Sequence, residues 1–149
     1  MTLLVTGAMG HVGYEIARQA VAQGLEVLAL YRDELREADA LALGPNVKWL
    51  ACELTDAGAV RNLAEKHQID ACIHAAAISN EAYARPNPLD AISGNVGATA
   101  NLLDAARVAQ WRRFVLVSTG SVFQKRADMV SPIFEDATPE PANIYSTTK

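Results

Sequence analysis

The chain ends in NIYSTTK, which places a tyrosine and a lysine four residues apart, at Tyr145 and Lys149. Residues at this spacing share one face of a helix if the segment is helical. A free tyrosine loses its proton only at about pH 10, so a tyrosine that transfers protons near neutral pH needs a neighbour that favours the phenolate. A lysine ammonium one helical turn away does this. The pair is therefore a candidate for proton transfer, and an exposed polar helix face is the alternative.

A second candidate site is the segment TGAMGHVG, with glycines at Gly7, Gly10 and Gly13. It follows a predicted strand and opens a predicted helix, as a dinucleotide-binding turn requires. One glycine permits the tight turn, one lets backbone amides approach a pyrophosphate, and one lets the helix pack on the strand. The helix N-terminus adds partial positive charge. The pattern predicts phosphate binding, and a glycine-bearing turn without a ligand is the alternative.

Short apolar runs alternate with longer helix-period stretches, which predicts βαβ units around a parallel sheet. Several runs are nearly continuous in apolar residues, as is typical of strands covered on both faces. Five strands are predicted, at 2–6, 26–31, 47–52, 71–75 and 114–119.

Helix signals lie between these strands. A helical stripe over 11–23 ends at Gly24, which suits the glycine position after a helix. A second helix is predicted from about 56 to 66, with Asp56 as N-cap, and the polar segment 33–46 has room for one short helix.

The longest predicted helix runs from about 88 to 110, where large apolar residues recur at spacings of 3, 4 and 7. They are Leu89, Ile92, Val96 and Leu103. Gly94 and Gly97 interrupt this helix, and they either weaken it or mark a place where something packs close. From 124 to 141 the chain is polar and rich in proline, which predicts a loop. The end, PANIYSTTK, reads as a helix beginning with proline in its first turn.

At 149 residues, with half of them hydrophobic and a fifth charged, the chain fits one globular domain. Its net charge of −4 argues against a nucleic-acid partner. The sequence has no apolar stretch of the ~20 residues a membrane helix needs and no basic segment ahead of its first apolar run, so we expect a soluble, cytoplasmic protein. Cys52 and Cys72 are predicted as buried free thiols, and scattered His11, His67 and His74 predict no metal site.

The glycine segment VTGAMGHVG resembles the TGxxGxxG motif of the short-chain dehydrogenase/reductase family. Four further segments match that family in the same order. CIHAAA resembles the motif that closes its fourth strand, and NVGATANLLDAA resembles the NxxGTxNLL helix of the extended subgroup. VSTGSVF is similar to the stretch after strand five, and PIFEDATPEPANIYSTTK is similar to the PxxExxPxxPxxxYxxxK that carries the catalytic pair. The chain thus resembles the nucleotide-sugar epimerases, dehydratases and their relatives.

The resemblance implies a Rossmann-type, doubly wound parallel sheet in strand order 3-2-1-4-5. Residues 1–149 would form the NAD(P)-binding domain, with the substrate-binding region lying beyond Lys149. The implied activity is oxidoreduction at a carbinol carbon of a nucleotide sugar or a similar hydroxylated small molecule. It is either net reduction or dehydrogenation, or the transient oxidation within an epimerase. A homodimer stays open, because helices of this fold commonly pair between subunits, but the fourth helix alone does not establish one.

The resemblance also assigns roles to site residues. Tyr145 would transfer the hydroxyl proton, Lys149 would favour its phenolate, and Thr119, at the end of a predicted strand, would hold the substrate oxygen. Thr119 aligns with the family's Ser/Thr better than Ser118 or Ser121 does, and a slip of one step in the alignment is the alternative. The residues that the family uses to bind the dinucleotide correspond to Gly7, Met9, Gly10, His11, Val12, Gly13, Tyr31, Arg32, Glu53, Leu54, Ala75, Ala76, Ala77, Asn95, Val117, Tyr145 and Lys149. Asn95 would help to order the site, or it would face solvent.

The end of the second strand bears on the choice between NAD and NADP. A carboxylate there accepts hydrogen bonds from the ribose hydroxyls of NAD, whereas an arginine pairs with the 2′-phosphate of NADP. Counting from Gly13, the expected acid falls at Tyr31 and the next residue is Arg32, so NADP is predicted in preference to NAD. Asp33 leaves NAD open, because a strand end shifted by one residue would put a carboxylate near the ribose. Glu53 resembles the acid that accepts from the adenine amino group, or it is a solvated acid.

The chain also departs from the family pattern. The 4,6-dehydratases carry an acidic pair just after the Ser/Thr, whereas this chain has Gly120 and Ser121, which disfavours dehydration and, for the same reason, decarboxylation. Phe123 replaces a usual tyrosine. Lys125 and Arg126 could meet a substrate phosphate or be solvated. A dinucleotide-binding redox sensor and an inactive fragment are the alternative functions, although sensors usually lose the tyrosine–lysine pair.

Overall fold

The computed structural model describes residues 1–123 and 132–149. Five parallel strands form one sheet in the order β3-β2-β1-β4-β5, which confirms the predicted order. The strands are β1 (Thr2–Thr6), β2 (Glu26–Tyr31), β3 (Val47–Ala51), β4 (Ala71–His74) and β5 (Arg113–Leu116).

Helices connect these strands. They are α1 (His11–Ala22), α2 (Glu37–Ala42), α3 (Ala57–Lys66), α4 (Glu81–Ala84), α5 (Pro88–Ala91), α6 (Ala98–Val108) and α7 (Ile144–Thr148). A π-helical turn (Ile92–Gly97) joins α5 to α6, and a 3₁₀ turn (Gly120–Phe123) follows β5. The sequence did not predict α4 or the 3₁₀ turn, while α2 is the short helix expected in 33–46. No helix in the described ranges is long and apolar enough to cross a lipid bilayer.

Two hydrophobic cores pack against the sheet, because alternate residues of each strand point to opposite faces. On β1, Leu3 and Val5 contribute to one core and Leu4 to the other. Both cysteines are buried free thiols, as predicted. Burial raises the pKa of the Cys72 thiol to about 12, so this sulfur stays protonated.

The predicted fifth strand was too long. It ends at Leu116 rather than 119, so Thr119 lies in a loop beyond the strand. The amide of Val117 donates to the His74 carbonyl at 3.0 Å, and β4 itself ends at His74, so the pairing stops there.

The predicted helix 88–110 is helical throughout most of its length but consists of α5, the π-helical turn and α6. Its large apolar residues do not face the core: Leu89 is 78% exposed and Leu103 is 47% exposed. The residues of this stretch that are buried instead include Ala91, Ala98 and Ala105, together with Leu102.

Both interrupting glycines lie within the π-helical turn, where the helix widens. A Cβ at Gly94 would lie 3.7 Å from the Ile78 side chain, and one at Gly97 would lie 4.0 Å from the Ser93 hydroxyl. These are ordinary contacts, so neither glycine is required by close packing.

The predicted helix boundaries have mixed outcomes. Asp56 caps α3 by accepting from the Gly58 amide at 2.8 Å, and Gly24 follows α1 with φ of +75°, as predicted. The expectation of a proline in the first turn of the last helix was wrong, because Asn143 caps α7 and Pro141 precedes it. The described part of the predicted loop, 132–141, contains no helix or strand, whereas 124–131, with Lys125 and Arg126, lie outside the described residues.

Candidate dinucleotide and catalytic site

A cavity of about 930 Å³ opens at the carboxyl ends of the sheet strands. This is where open parallel sheets bind ligands. The predicted dinucleotide residues that line it are Gly7, Met9, Gly10, His11, Val12, Gly13, Tyr31, Arg32, Glu53, Leu54, Ala75, Ala76 and Ala77.

The glycine-rich turn packs so tightly that two positions exclude any side chain. Gly7 has a φ of +64°, and a Cβ there would lie 2.8 Å from the backbone of Ala76. A Cβ at Gly13 would overlap the carbonyl of Gly7. The turn is closed by the amide of Gly10, which donates to the Gly7 carbonyl at 2.8 Å. Gly7 thus permits the turn and Gly13 lets α1 pack against it, as predicted.

The N-terminus of α1 faces the cavity with its polar groups available. Gly10 is the N-cap, and within the described residues no side chain caps this helix and no acid lies in its first turn. The first amides of a helix have no intrahelical partner and carry partial positive charge. His11, Val12 and Gly13 line the cavity at this point. The turn and helix therefore fit the pyrophosphate of a dinucleotide.

The end of β2 carries an arginine that is paired with its neighbour. Nε of Arg32 donates to the Asp33 carboxylate at 2.8 Å, and both residues line the cavity. The hydrogen bond and charge of Asp33 raise the pKa of Arg32, and Arg32 lowers the pKa of Asp33 in turn. A second arginine, which sequence reasoning missed, reaches the glycine turn: Arg36 donates to the Met9 carbonyl at 2.6 Å.

Glu53 lies after β3 on the cavity wall. One carboxylate oxygen accepts from both the amide and the hydroxyl of Thr55, at 2.9 and 2.8 Å. This local turn fixes the side chain of Glu53. The adjacent Leu54 carbonyl accepts from the Asn101 side chain at 2.9 Å, which joins this loop to α6.

His74 is buried beneath the cavity in a chain of hydrogen bonds. The Thr6 hydroxyl accepts from the amides of Ala75 and Ala76, so its own proton goes to Nδ1 of His74, 2.6 Å away. On the other side, Nε2 lies 3.1 Å from the Thr99 hydroxyl. Since Nδ1 accepts, the ring is neutral and Nε2 carries the proton.

The environment of His74 favours this neutral form. Burial, assisted by the charge of Lys149, lowers its pKa to about 4. The Thr99 hydroxyl donates onward to the Asn95 carbonyl, so the chain of hydrogen bonds continues into the π-helical turn. A charged imidazole would lose the hydrogen bond from Thr6, because both of its nitrogens would be donors.

Asn95 is buried rather than exposed to solvent, so the solvent-facing alternative is wrong. Its side-chain oxygen accepts from the Ile78 amide at 2.7 Å. Its nitrogen donates to the Ile78 carbonyl at 3.2 Å and to the Thr148 hydroxyl at 2.9 Å. Asn95 thereby joins the segment after β4 to α7.

The predicted catalytic residues lie at the same edge of the sheet. Tyr145 is in α7, and Lys149 is the residue that ends it. The Ser118 hydroxyl donates to the Lys149 carbonyl at 2.9 Å, which brings the loop after β5 to the end of α7. The Thr119 hydroxyl accepts from the Ser121 amide at 3.2 Å. Burial lowers the pKa of the Lys149 ammonium.

Not every predicted site residue lines the cavity. Among the described residues, the predicted site residues that do not line the cavity are Asn95, Val117, Thr119, Tyr145 and Lys149. The wall also includes residues that were not predicted as site residues: Leu30, Asp33, Glu34, Cys52, Thr55, Ile78, Ser79, Asp90, Ser93, Gly94 and Ala98. Several of these flank predicted residues on the strand ends. Those from 90 onward are brought to the cavity by the path of α5 and the π-helical turn, which the sequence does not indicate.

Comparisons with known proteins support the same interpretation. A model of the NAD dependent epimerase/dehydratase family matches residues 3–149. The UDP-glucose 4-epimerase of Lactobacillus helveticus is 30% identical over 149 residues, which are 100% of this chain and 44% of that protein. A dTDP-4-dehydro-6-deoxy-D-allose reductase of Streptomyces sp is 35% identical over 127 residues, covering 82% of this chain and 39% of that protein.

Solved structures agree in fold. The UDP-glucose 4-epimerase of Thermus thermophilus, in complex with NAD, is 26% identical with a TM-score of 0.87 over 100% of this chain and 47% of that one. The chain thus spans less than half the length of these relatives. The resemblance to the extended short-chain dehydrogenase/reductases is confirmed, and the chain belongs to the NAD dependent epimerase/dehydratase family.

Proposed function

We propose that this chain is the dinucleotide-binding domain of an NAD(P)-dependent enzyme that acts on a carbinol carbon of a nucleotide sugar or a similar hydroxylated small molecule. The observation that carries the proposal is the uncapped N-terminus of α1 facing a cavity at the same sheet edge as the Tyr145 helix. Relatives named as epimerases and as a reductase support this substrate class. The substrate-binding region would belong to the remainder of a longer protein.

A nicotinamide bound in this cavity would supply or accept the hydride. Tyr145 would give or take the proton of the substrate hydroxyl in the same step. The Lys149 ammonium would favour the phenolate, and its partial burial strengthens that effect because the medium screens it less. Thr119 would donate a hydrogen bond to the substrate oxygen and hold it near Tyr145.

The reaction is proposed as epimerisation or net oxidoreduction rather than dehydration. Gly120 and Ser121 follow Thr119, where dehydration and decarboxylation would need an acid. A preference for NADP would favour net reduction, because an epimerase regenerates its own cofactor and needs no external reductant.

The cofactor is proposed to be a nicotinamide dinucleotide, with NADP preferred through Arg32. The absence of a carboxylate at Tyr31 and the presence of a guanidinium on the cavity wall support this preference. The bond from Arg32 to Asp33 opposes it, because a 2′-phosphate has to compete with that carboxylate. The Thermus thermophilus epimerase with NAD bound, at 26% identity, supports NAD as the alternative.

A homodimer is also proposed, through the exposed apolar face of α5, the π-helical turn and α6. Leu89, Ile92, Val96 and Leu103 expose large apolar side chains on this stretch. Such a patch is typical of an interface. Light scattering on the full-length protein and on a Leu103→Glu variant tests this: the wild type should have twice the monomer mass, and the variant should shift toward the monomer.

The central experiment measures hydride transfer by the full-length protein with UDP-glucose and dTDP-sugar substrates, by nicotinamide absorbance and by product analysis. Tyr145→Phe and Lys149→Met should each lower kcat by at least about 100-fold, since each removes part of the proton-transfer pair. Tyr83→Phe is the matched control, because Tyr83 is 68% exposed and outside the site. Undiminished kcat in Tyr145→Phe would show that another group transfers the proton.

The non-catalytic alternatives have a distinct outcome. A redox sensor would bind NAD(P) by calorimetry, but the full-length protein would show no absorbance change and no product with any of these sugars. An inactive fragment would show no turnover as residues 1–149 alone, although the full-length protein turns over. Dinucleotide binding without turnover by the full-length protein would therefore replace the enzyme proposal with the sensor.

A further inference from the structure

The helix that carries Tyr145 is only five residues long. An isolated helix of this length does not form stably in water, so its position depends on contacts with other residues. Asn143 supplies the local contacts: its side chain accepts from the Ser146 amide at 2.8 Å, and its amide donates to the Ser146 hydroxyl at 3.2 Å. These groups lie in one segment, so they determine where α7 begins but not how it is oriented against the sheet.

Within residues 1–123 and 132–149, three side-chain contacts join α7 and Lys149 to distant parts of the chain. They are Asn95 to Thr148, Ser118 to Lys149 and Glu81 to Tyr145. The third differs from the others because it brings a carboxylate to the first turn of α7. Glu81 accepts from the backbone amide of Tyr145 at 3.0 Å, across 64 positions of sequence.

We propose that Glu81 is a positioning residue: its carboxylate holds the first turn of α7 so that the Tyr145 side chain faces the substrate in the orientation that proton transfer needs. The amide it binds is one of those with no partner inside the helix. A negative charge is also favoured at a helix N-terminus, where the helix dipole is positive. A charge-assisted hydrogen bond of this kind is stronger than one between neutral groups. The inference rests on the function proposed above.

Glu81 is well placed to connect the cavity wall with α7. It is the first residue of α4, and Asn80 caps that helix by accepting from the Tyr83 amide at 3.1 Å. Ser79, two residues before Glu81, lines the cavity. Ile78 is fixed in turn by the side chain of Asn95. The segment from 78 to 81 is therefore held at the cavity at one end and holds the Tyr145 amide at the other.

This role predicts a specific kinetic pattern. Glu81 contacts a backbone amide and not a reacting atom, so losing it should misplace Tyr145 without removing a substrate contact. Glu81→Ala in the full-length protein should lower kcat by about 10-fold to 100-fold. KM for the sugar and for the dinucleotide should change by less than about twofold, because ground-state binding is retained. Glu81→Gln keeps an oxygen that can accept the amide and should restore most of kcat.

Hydrogen exchange of the Tyr145 amide, measured by NMR on the same proteins, tests the contact independently of turnover. Glu81→Ala should raise its exchange rate by about tenfold or more, and Glu81→Gln should leave it near the wild-type rate. Glu65→Ala is the matched control, because it removes an exposed glutamate in α3, far in the chain from Glu81 and Tyr145. It should leave kcat and Tyr145 exchange within about twofold of the wild type.

The outcomes separate this inference from the proposed function. If the wild type transfers no hydride, the proposed function fails, while the exchange rates still decide whether Glu81 holds Tyr145. Unchanged Tyr145 exchange in Glu81→Ala overturns the inference. It is equally overturned if Glu65→Ala reproduces the losses seen in Glu81→Ala, or if KM rises in place of a fall in kcat.

Discussion

The hydroxyl of Thr6 lies 2.6 Å from Nδ1 of His74, and this contact fixes the protonation state of a buried imidazole. Both lone pairs of the Thr6 oxygen are used by the amides of Ala75 and Ala76, so the hydroxyl donates to the ring. The ends of β1 and β4 are thereby joined beneath the cavity. Protonating His74 would break the hydrogen bond between Thr6 and His74.

Folding stability should therefore fall as the pH falls through the range in which His74 becomes charged. The pKa of His74 is lowered from 6.5 to about 4 in the folded protein, so the unfolded chain binds the proton first. The stability linked to the neutral ring is fully present above pH 6.5 and is lost as the pH drops toward 4. This pKa shift corresponds to about 3 kcal/mol in the free energy of unfolding. Urea unfolding across this pH range in the wild type and in His74→Gln measures it.

The His74→Gln variant should lack this part of the pH dependence. His11→Gln is the matched control, because His11 is exposed and lies outside the hydrogen bonds of His74. Equal slopes in the wild type and His74→Gln would mean that the buried ring does not titrate as described.

Removing the Thr99 hydroxyl should destabilise the fold. Thr99→Val keeps the shape of the side chain but leaves Nε2 of His74 without its acceptor, at a cost of about 1–3 kcal/mol in the free energy of unfolding. Thr99→Ser retains the hydroxyl and should be much closer to the wild type. Thr2→Val removes an exposed hydroxyl that contacts Glu26 and should change stability by less than about 0.5 kcal/mol. Chemical denaturation of the three variants measures the differences, and equal values for Thr99→Val and Thr2→Val would contradict the assigned network.

A methyl group at Gly13 should disrupt the dinucleotide turn. Its Cβ would overlap the Gly7 carbonyl, so the backbone must move, and we expect Gly13→Ala to weaken NAD binding by at least about tenfold. Calorimetric titration with NAD measures this. Gly97→Ala is the control, since a Cβ there would find its nearest neighbour at 4.0 Å. Tight NAD binding by Gly13→Ala would show that the turn can relax.

Arg32 and Asp33 should have opposite effects on cofactor choice. Arg32→Ala should weaken NADP relative to NAD by about tenfold or more, because the 2′-phosphate loses its charged partner. Asp33→Asn should strengthen NADP binding, since it releases the guanidinium that Asp33 now holds. Dissociation constants for both cofactors measure the ratio. The preference for NADP is wrong if Arg32→Ala leaves that ratio unchanged.

Much of the fold could be predicted because local signals and the global topology agree. The strands of the sheet are marked by apolar runs, and Asp56 and Gly24 mark helix boundaries through their own backbone chemistry. The face of the long helix could not be predicted in the same way. Periodicity identifies residues that share a face, but Leu89 and Leu103 lie outside whereas Leu102 and several alanines lie inside, because tertiary contacts decide which face is buried.

The residues of the candidate site could likewise be predicted only in part. The glycines of the turn were found because their spacing follows from steric demands that act within a few residues. The contacts of Asn95 with Ile78 and of Glu81 with Tyr145 join residues 17 and 64 positions apart, and neither spacing has a local signal. Arg36, at the N-terminus of α2, reaches the Met9 carbonyl across 27 positions, and that spacing has no local signal either. Such groups become visible only when the tertiary structure is known.

The fifth strand has a practical consequence for work with this stretch of protein. Val115 and Leu116 are 43% and 39% exposed, and within residues 1–123 and 132–149 β5 pairs with β4 on one side only. An apolar strand with an open edge can add a strand from a neighbouring molecule, which leads to intermolecular β-sheet and precipitation. Preparations of residues 1–149 alone should therefore show turbidity that rises with concentration, and a charged residue at Val115 should suppress it.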